Sequence, residues 1–157
     1  MFWTRLGHGL AAGAVGVTTL NAITYLDIAL RARPSSDSPS QAVEQLAGKA
    51  GAEIPGKGEN RDNRLAGLGP LAGILTGTAI GVTAAFARPV LARIPAPLAA
   101  ATLGALAMAG SDGPLAALGI TKPGDWTAAD WASDVIPHLG YGAATYTTLI
   151  ALSPGSC

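Results

Sequence analysis

The 157 residues carry ten Lys and Arg, ten Asp and Glu and a formal net charge of zero, so no clustered basic footprint for nucleic acid is present. Charged residues make up 13% of the chain, about half the ~25% of a soluble globular domain, against 49% hydrophobic residues and 21 glycines. The one cysteine, Cys157, excludes an intramolecular disulfide and a cysteine zinc site, and the length fits a single membrane domain over residues 1–157.

The first apolar run, about 6–30, is long enough at 1.5 Å per residue to cross roughly 30 Å of hydrocarbon. Arg5 ahead of it resembles the start of a signal peptide. However, Asn21, Tyr25 and Asp27 interrupt the run, and it ends in Leu30-Arg31-Ala32-Arg33 with no small-residue cleavage site. We therefore read it as the first membrane span.

Residues 31–64 form a polar loop that holds much of the charge. Ser38-Pro39-Ser40-Gln41 reads as a helix start, with Ser38 as N-cap, Pro39 at the first position and Gln41 closing a capping box. Ala42, Val43, Leu46, Ala47 and Ala50 recur at helical spacing, and Gly51 supplies a stop. The expected element is an amphipathic surface helix. Residues 54–63 read as a loop rich in Gly, Asn and charge, and Arg61 and Arg64 are its candidate docking residues for a partner.

The second span, about 65–87, contains Gly69, Gly73, Gly77 and Gly81 at strict four-residue spacing. In a soluble helix each glycine would cost about 1 kcal/mol relative to alanine. In a bilayer the spacing makes a smooth stripe against which another backbone can pack closely. The stripe can meet Gly9, Gly13 and Gly16 of the first span, or Ala100 and Gly104 of the third. The alternative is a seam between two copies of the chain.

A third, shorter span is expected over about 95–110, followed by Ser111-Asp112-Gly113-Pro114. That tetrapeptide reads as an interfacial turn, or, if the apolar stretch continues to Ile120, as a break inside a membrane helix. Thr127-Ala-Ala-Asp130 is a capping-box variant leading into the fourth span, about 131–152. Trp126 and Trp131 look like interfacial aromatics at its start. Asp134, His138, Tyr141 and Thr145 share one face of this span, and Pro137 loosens its first turn.

These readings give an all-α polytopic membrane four-helix bundle with one amphipathic helix in its first loop. Lys and Arg near the spans number seven on the large-loop side (Arg31, Arg33, Lys49, Lys57, Arg61, Arg64, Lys122) and three on the other (Arg5, Arg88, Arg93). The positive-inside rule then places both termini outside and the loop in the cytoplasm, although Arg88 and Arg93, close against their spans, argue the opposite way. All ten carboxylates fall on the loop side. Among the polar groups there, Asn21, Asp27, Asp112, Asp134, His138 and Tyr141 form a candidate polar or ion cluster at the membrane boundary. Ionisable groups at such depth often mark proton or ion paths. The competing interpretation is that the Asp residues sit in headgroups and His138 makes one interhelical hydrogen bond.

His8 and His138 lie at opposite ends of the spans, and no spacing motif supports a metal site, a nucleophile elbow or a phosphate loop. No cofactor is expected, and the chain reads away from an enzyme. Its expected partners are the lipid bilayer and a second copy or another membrane protein.

The pattern Ile54-Pro-Gly-Lys-Gly-Glu-Asn-Arg61-Asp-Asn-Arg64, then Gly110-Ser-Asp-Gly-Pro114, then Asp130-Trp-Ala-Ser-Asp134-Val-Ile-Pro-His138-Leu-Gly-Tyr141-Gly resembles a group of uncharacterised small integral membrane proteins of high-GC bacteria. This resemblance spans nearly the whole chain. The last span alone is similar to the YagU-type inner-membrane family of unknown function. The resemblance implies a four-span protein of the bacterial plasma membrane and brings no reaction, ligand or catalytic residue. Two functional expectations follow: a structural or accessory protein docking partners through its charged loop, or a small transporter or ion-conducting oligomer using the Asp/His cluster.

Overall fold

Uncharged runs of Ala, Leu and Gly, each closed by a Pro, Gly or charge-rich joint, give one long helix after another. The computed structural model describes residues 1–153, which leaves Cys157 outside the described residues. Those residues are all-helical: α1 (Phe2–Arg31), α2 (Ser38–Lys49), α3 (Glu59–Leu91), α4 (Ala96–Ala117) and α5 (Ala128–Ala151), with a 3-10 turn at Pro123–Asp125. α1 packs on α3 and α5, and α4 packs on α5, while α2 lies along the start of α3.

Glycines set how closely these helices cross. A Cβ on Gly9 would lie 2.5 Å from the Val82 Cα, and one on Gly13 2.8 Å from the Thr78 Cα, while Gly81 lies directly against Gly13. α1 and α3 are therefore antiparallel and in backbone contact, the geometry that small residues permit. A second crossing joins α4 to α5, where a Cβ on Gly104 would come 2.6 Å from the His138 carbonyl oxygen and Gly142 faces Ala100. The core between the helices is mostly small: Ala12, Ala84, Ala85 and Ala99 with Leu91, Leu103 and Leu149, and beside it Val17, Ala107 and Tyr141. Gly77 packs on Val17, but Gly69 faces Pro39 and Ser40 of α2, and Gly73 has open space around it. Three positions of the stripe thus meet two helices, α2 and α1, and one is left unused.

Several boundaries differ from expectation. α2 starts at Ser38, but Asp37 occupies the N-cap position and no side chain caps the helix. The Ser36 hydroxyl instead accepts from the Ser38 N–H at 3.2 Å, so Ser38 and Gln41 form no capping box. α3 begins at Glu59, inside the segment read as loop, because Glu59 and Asp62 in its first turn suit the positive end of the helix dipole. α4 runs unbroken through Ser111–Pro114 to Ala117. Pro114 forfeits only the N–H that would have met the Gly110 carbonyl, and the Ser111 hydroxyl bonds back to the Ala107 and Met108 carbonyls at 3.2 and 3.1 Å, holding the preceding turn. At α5 the expected cap is present: Thr127 accepts from the Asp130 N–H and Asp130 from the Thr127 N–H.

Two helices, α1 and α3, are long and apolar enough to cross a membrane, and only 28% and 22% of their most apolar stretches are buried. Ser111, Asp112 and Pro114 dilute α4, as Asp130, Asp134 and His138 dilute α5. Both nonetheless turn large apolar side chains outward, Leu98 and Leu106 on α4 and Ile136, Leu139 and Ile150 on α5.

Candidate functional site

The α4–α5 crossing sets the site. With the Gly104 backbone against the His138 carbonyl, the next turns of the two helices bring Ser111 and Asp112 of α4 opposite Asp134 and His138 of α5. His138 Nδ1 lies 2.8 Å from the Asp134 carbonyl oxygen and 3.4 Å from Asp134 Oδ1. Both are acceptors, so Nδ1 carries a hydrogen and donates. On the opposite side of the ring, Nε2 lies 3.3 Å from Ser111 Oγ, which in turn lies 3.3 Å from Asp112 Oδ1. The Asp112 and Asp134 carboxyl groups are themselves near enough to interact. One oxygen of each, Oδ2, is buried with no hydrogen-bond partner. His138 is buried, at 8% exposure.

This arrangement has a specific consequence for protons. Ser111 has one hydroxyl hydrogen and several acceptors around it: His138 Nε2, Asp112 Oδ1 and two backbone carbonyls. When His138 is neutral, Ser111 can donate to Nε2. When His138 is charged, Nε2–H donates to Ser111, whose hydrogen must turn to Asp112 or the backbone. Asp134, His138, Ser111 and Asp112 thus form a line of hydrogen-bonding groups that is continuous when His138 is charged. It opens between Ser111 and Asp112 when Ser111 turns to Nε2, so that one rotation accompanies one proton.

Ser111 was not among the sequence candidates. Its neighbour Asp112 stands out in the sequence as a charge, and nothing in the spacing within α4 points to His138, 27 positions away. The order Ser–His–Asp resembles that of an acyl-transfer triad. However, Ser111 sits within a continuous helix, whose backbone N–H groups are engaged in the ladder and form no oxyanion hole for it. Among the described residues, no three of His, Cys, Asp and Glu are placed to hold a metal ion.

The remaining candidates separate from this cluster. Asp27 pairs with Arg33 at 2.6 Å and with Arg31 at 3.4 Å, and Arg31 also donates to Ser133 at 2.7 Å. It closes the end of α1 onto α5 rather than joining His138. Its own chain supplies two arginines within six residues, which accounts for the difference. Asn21 is half-buried on α1 and takes part in none of the cluster's hydrogen bonds. Tyr141, fully buried, donates to the Gly77 carbonyl oxygen at 2.6 Å. It therefore acts as a tie between α5 and α3, on the same face as His138 but a turn deeper. Arg61 pairs with Glu44 at 2.6 Å and Arg64 donates to the Pro55 carbonyl at 2.6 Å. Both arginines hold the loop to α3, with Ser40 Oγ donating to the Leu65 carbonyl at 3.0 Å. His8 lies at the far end, 3.0 Å from Ser153 Oγ.

No protein-family model matches the chain, and neither a curated protein nor a solved structure matches it.

Proposed function

We propose that the chain is a four-span membrane protein of the bacterial plasma membrane whose Asp134–His138–Ser111–Asp112 chain takes up and releases a proton, as in a small transporter or proton-conducting oligomer. The four-span reading is supported by the outward apolar residues on α1, α3, α4 and α5 alike, and by aromatic residues at both ends. Phe2 and Trp3 are exposed at one end, and Trp126 and Trp131 stack edge-on at the other, ring centroids 5.0 Å apart. The observation that carries the proton reading is the pair of buried, unpartnered Oδ2 atoms beside His138. Two facing carboxylates in a half-buried site repel one another unless a proton is shared between them.

Past His138 the bundle closes on Tyr141, Leu103 and Leu149, which are at most 2% exposed. A single chain therefore offers no continuous polar passage to the far end, and this favours either conduction along a seam between copies or the second reading. In that second reading the protein is accessory: the cluster senses pH and the exposed parts of the charged loop dock a partner.

Proton flux into proteoliposomes under an imposed pH gradient tests the first reading. We expect flux from wild-type protein, its loss in His138→Ala and Asp134→Asn, and a reduction in Ser111→Ala. Equal flux in wild type and His138→Ala would remove the cluster from the path. No flux from well-folded wild-type protein would favour the accessory role.

A further inference from the structure

α3 is drawn to α1 by Gly77 and Gly81, and α4 to α5 by Gly104 and Gly142. α3 and α4 touch where Gly110 lies against Ile80 and Thr76, and between them they leave a groove of ≈ 330 Å³. Its walls include Ile80, Thr83, Leu91, Leu103 and Leu106, with Gly110 at one end. Thr83 turns its hydroxyl back to the Ala79 carbonyl at 2.9 Å, so its polar atom is satisfied within α3. At the other end, two residues past Leu91, the exposed Arg93 lies in the short connector that joins α3 to α4. That end of the molecule carries Arg5, Arg88 and Arg93 and no Asp or Glu, since all ten acidic side chains follow the opposite ends of the long helices or lie in the loops there.

We propose that this groove holds one acyl chain of an anionic phospholipid whose headgroup pairs with Arg93. The groove supplies an apolar channel along the helices, and Arg93, which pairs with no Asp or Glu among the described residues, selects the sign of the headgroup. This inference rests on the membrane placement proposed above but not on the proton relay. His138→Ala protein should therefore bind the lipid as wild type does, so failure of one idea leaves the other standing.

The test is native mass spectrometry of detergent-purified protein titrated with phosphatidylglycerol and with phosphatidylcholine of the same chain length. Wild type should retain phosphatidylglycerol preferentially, one molecule per chain. Arg93→Gln should weaken that preference roughly two- to five-fold, as expected for one exposed ion contact, while Arg5→Gln, at the same end but on α1, should not. Ala79→Phe projects from an exposed position into the groove and should lower retention of both lipids, with helicity unchanged by circular dichroism. Equal effects of Arg5→Gln and Arg93→Gln would reduce the preference to general surface charge and overturn the proposal. So would undiminished lipid retention in Ala79→Phe, or a dimer whose cross-links between Thr83 positions show a second copy in the groove.

Discussion

The Tyr141 hydroxyl, buried on α5, donates to the Gly77 carbonyl of α3, and its ring lies against Gly16 of α1. One side chain thus fixes three helices, and its two parts contribute differently. Tyr141→Phe removes a hydrogen bond to a carbonyl already used in its own helix, so a loss of about 0.5–1 kcal/mol is expected. Tyr141→Ala empties a fully buried site and should cost about 3–5 kcal/mol. Denaturant unfolding in mixed micelles separates the two, and a Phe variant as damaged as the Ala variant would mean that the hydroxyl, not the ring, holds the crossing. A second residue-scale expectation concerns pH. Asp130 accepts from the Thr127 hydroxyl and backbone N–H at 2.6 and 2.9 Å, and these bonds hold its carboxyl below the ordinary value of 3.8. A depressed folded value means that the stabilisation of the α5 start is complete above about pH 3.8 and is lost only as pH falls through the lowered value. Thr127→Ala should therefore destabilise α5 by about 1 kcal/mol at neutral pH and reduce that acid-side dependence, the backbone N–H at 127 still bonding Asp130. Thermal unfolding followed at two pH values reads both effects.

At the scale of elements, the crossings make opposite predictions for glycines of one stripe. Gly81 lies against the Gly13 backbone while Gly73 faces open space. Gly81→Leu should force α1 and α3 apart at a cost of about 1–3 kcal/mol or more, whereas Gly73→Ala should be neutral or stabilising by up to ~1 kcal/mol through helix propensity. If Gly73→Ala is the damaging change, measured by detergent-resistant folding, that face is a seam between chains instead. This contrast marks what the sequence made legible and what it did not. The glycine spacing revealed a close-packing face, but a period of four says nothing about which neighbour each position meets, and here the partners are α2, lipid or solvent, and α1 in turn. The same limit explains α4. Gly113-Pro114 carries the chemistry of a turn, yet the helix continues to Ala117, with Pro114 forfeiting one hydrogen bond near its end. The candidate site was half visible: periodicity put Asp134 and His138 on one face of α5. Ser111 entered through the Gly104–His138 crossing, a tertiary register that no local pattern encodes, and Asp27 left because two nearby arginines were closer partners.

The whole molecule is polarised along its long axis. The far end holds three arginines without an Asp or Glu, and the opposite end holds ten acidic side chains against seven cationic ones. Of those seven, Arg31, Arg33 and Arg61 are engaged in ion pairs. Counting cations for orientation therefore treats as free several charges already neutralised within the fold, and it is the number of crossings, not the charge tally, that a direct experiment settles best. Four spans place Trp3 and Arg93 on one side of the membrane and Lys57 and Lys122 on the other. If only α1 and α3 crossed, Lys57 would still lie opposite Trp3, but Lys122 would join Arg93. Lys122 is thus the discriminating position, because it lies in the connector between α4 and α5, the two helices whose apolar stretches are interrupted by Asp112, Asp134 and His138. Single cysteines at Trp3, Lys57, Arg93 and Lys122, in a Cys157→Ser background, should divide two and two when labelled in intact cells with a membrane-impermeant maleimide. Labelling of Lys122→Cys together with Arg93→Cys would leave α4 and α5 outside the bilayer. The Asp134–His138–Ser111–Asp112 chain would then be a polar core in contact with water, with no role in moving protons across a membrane.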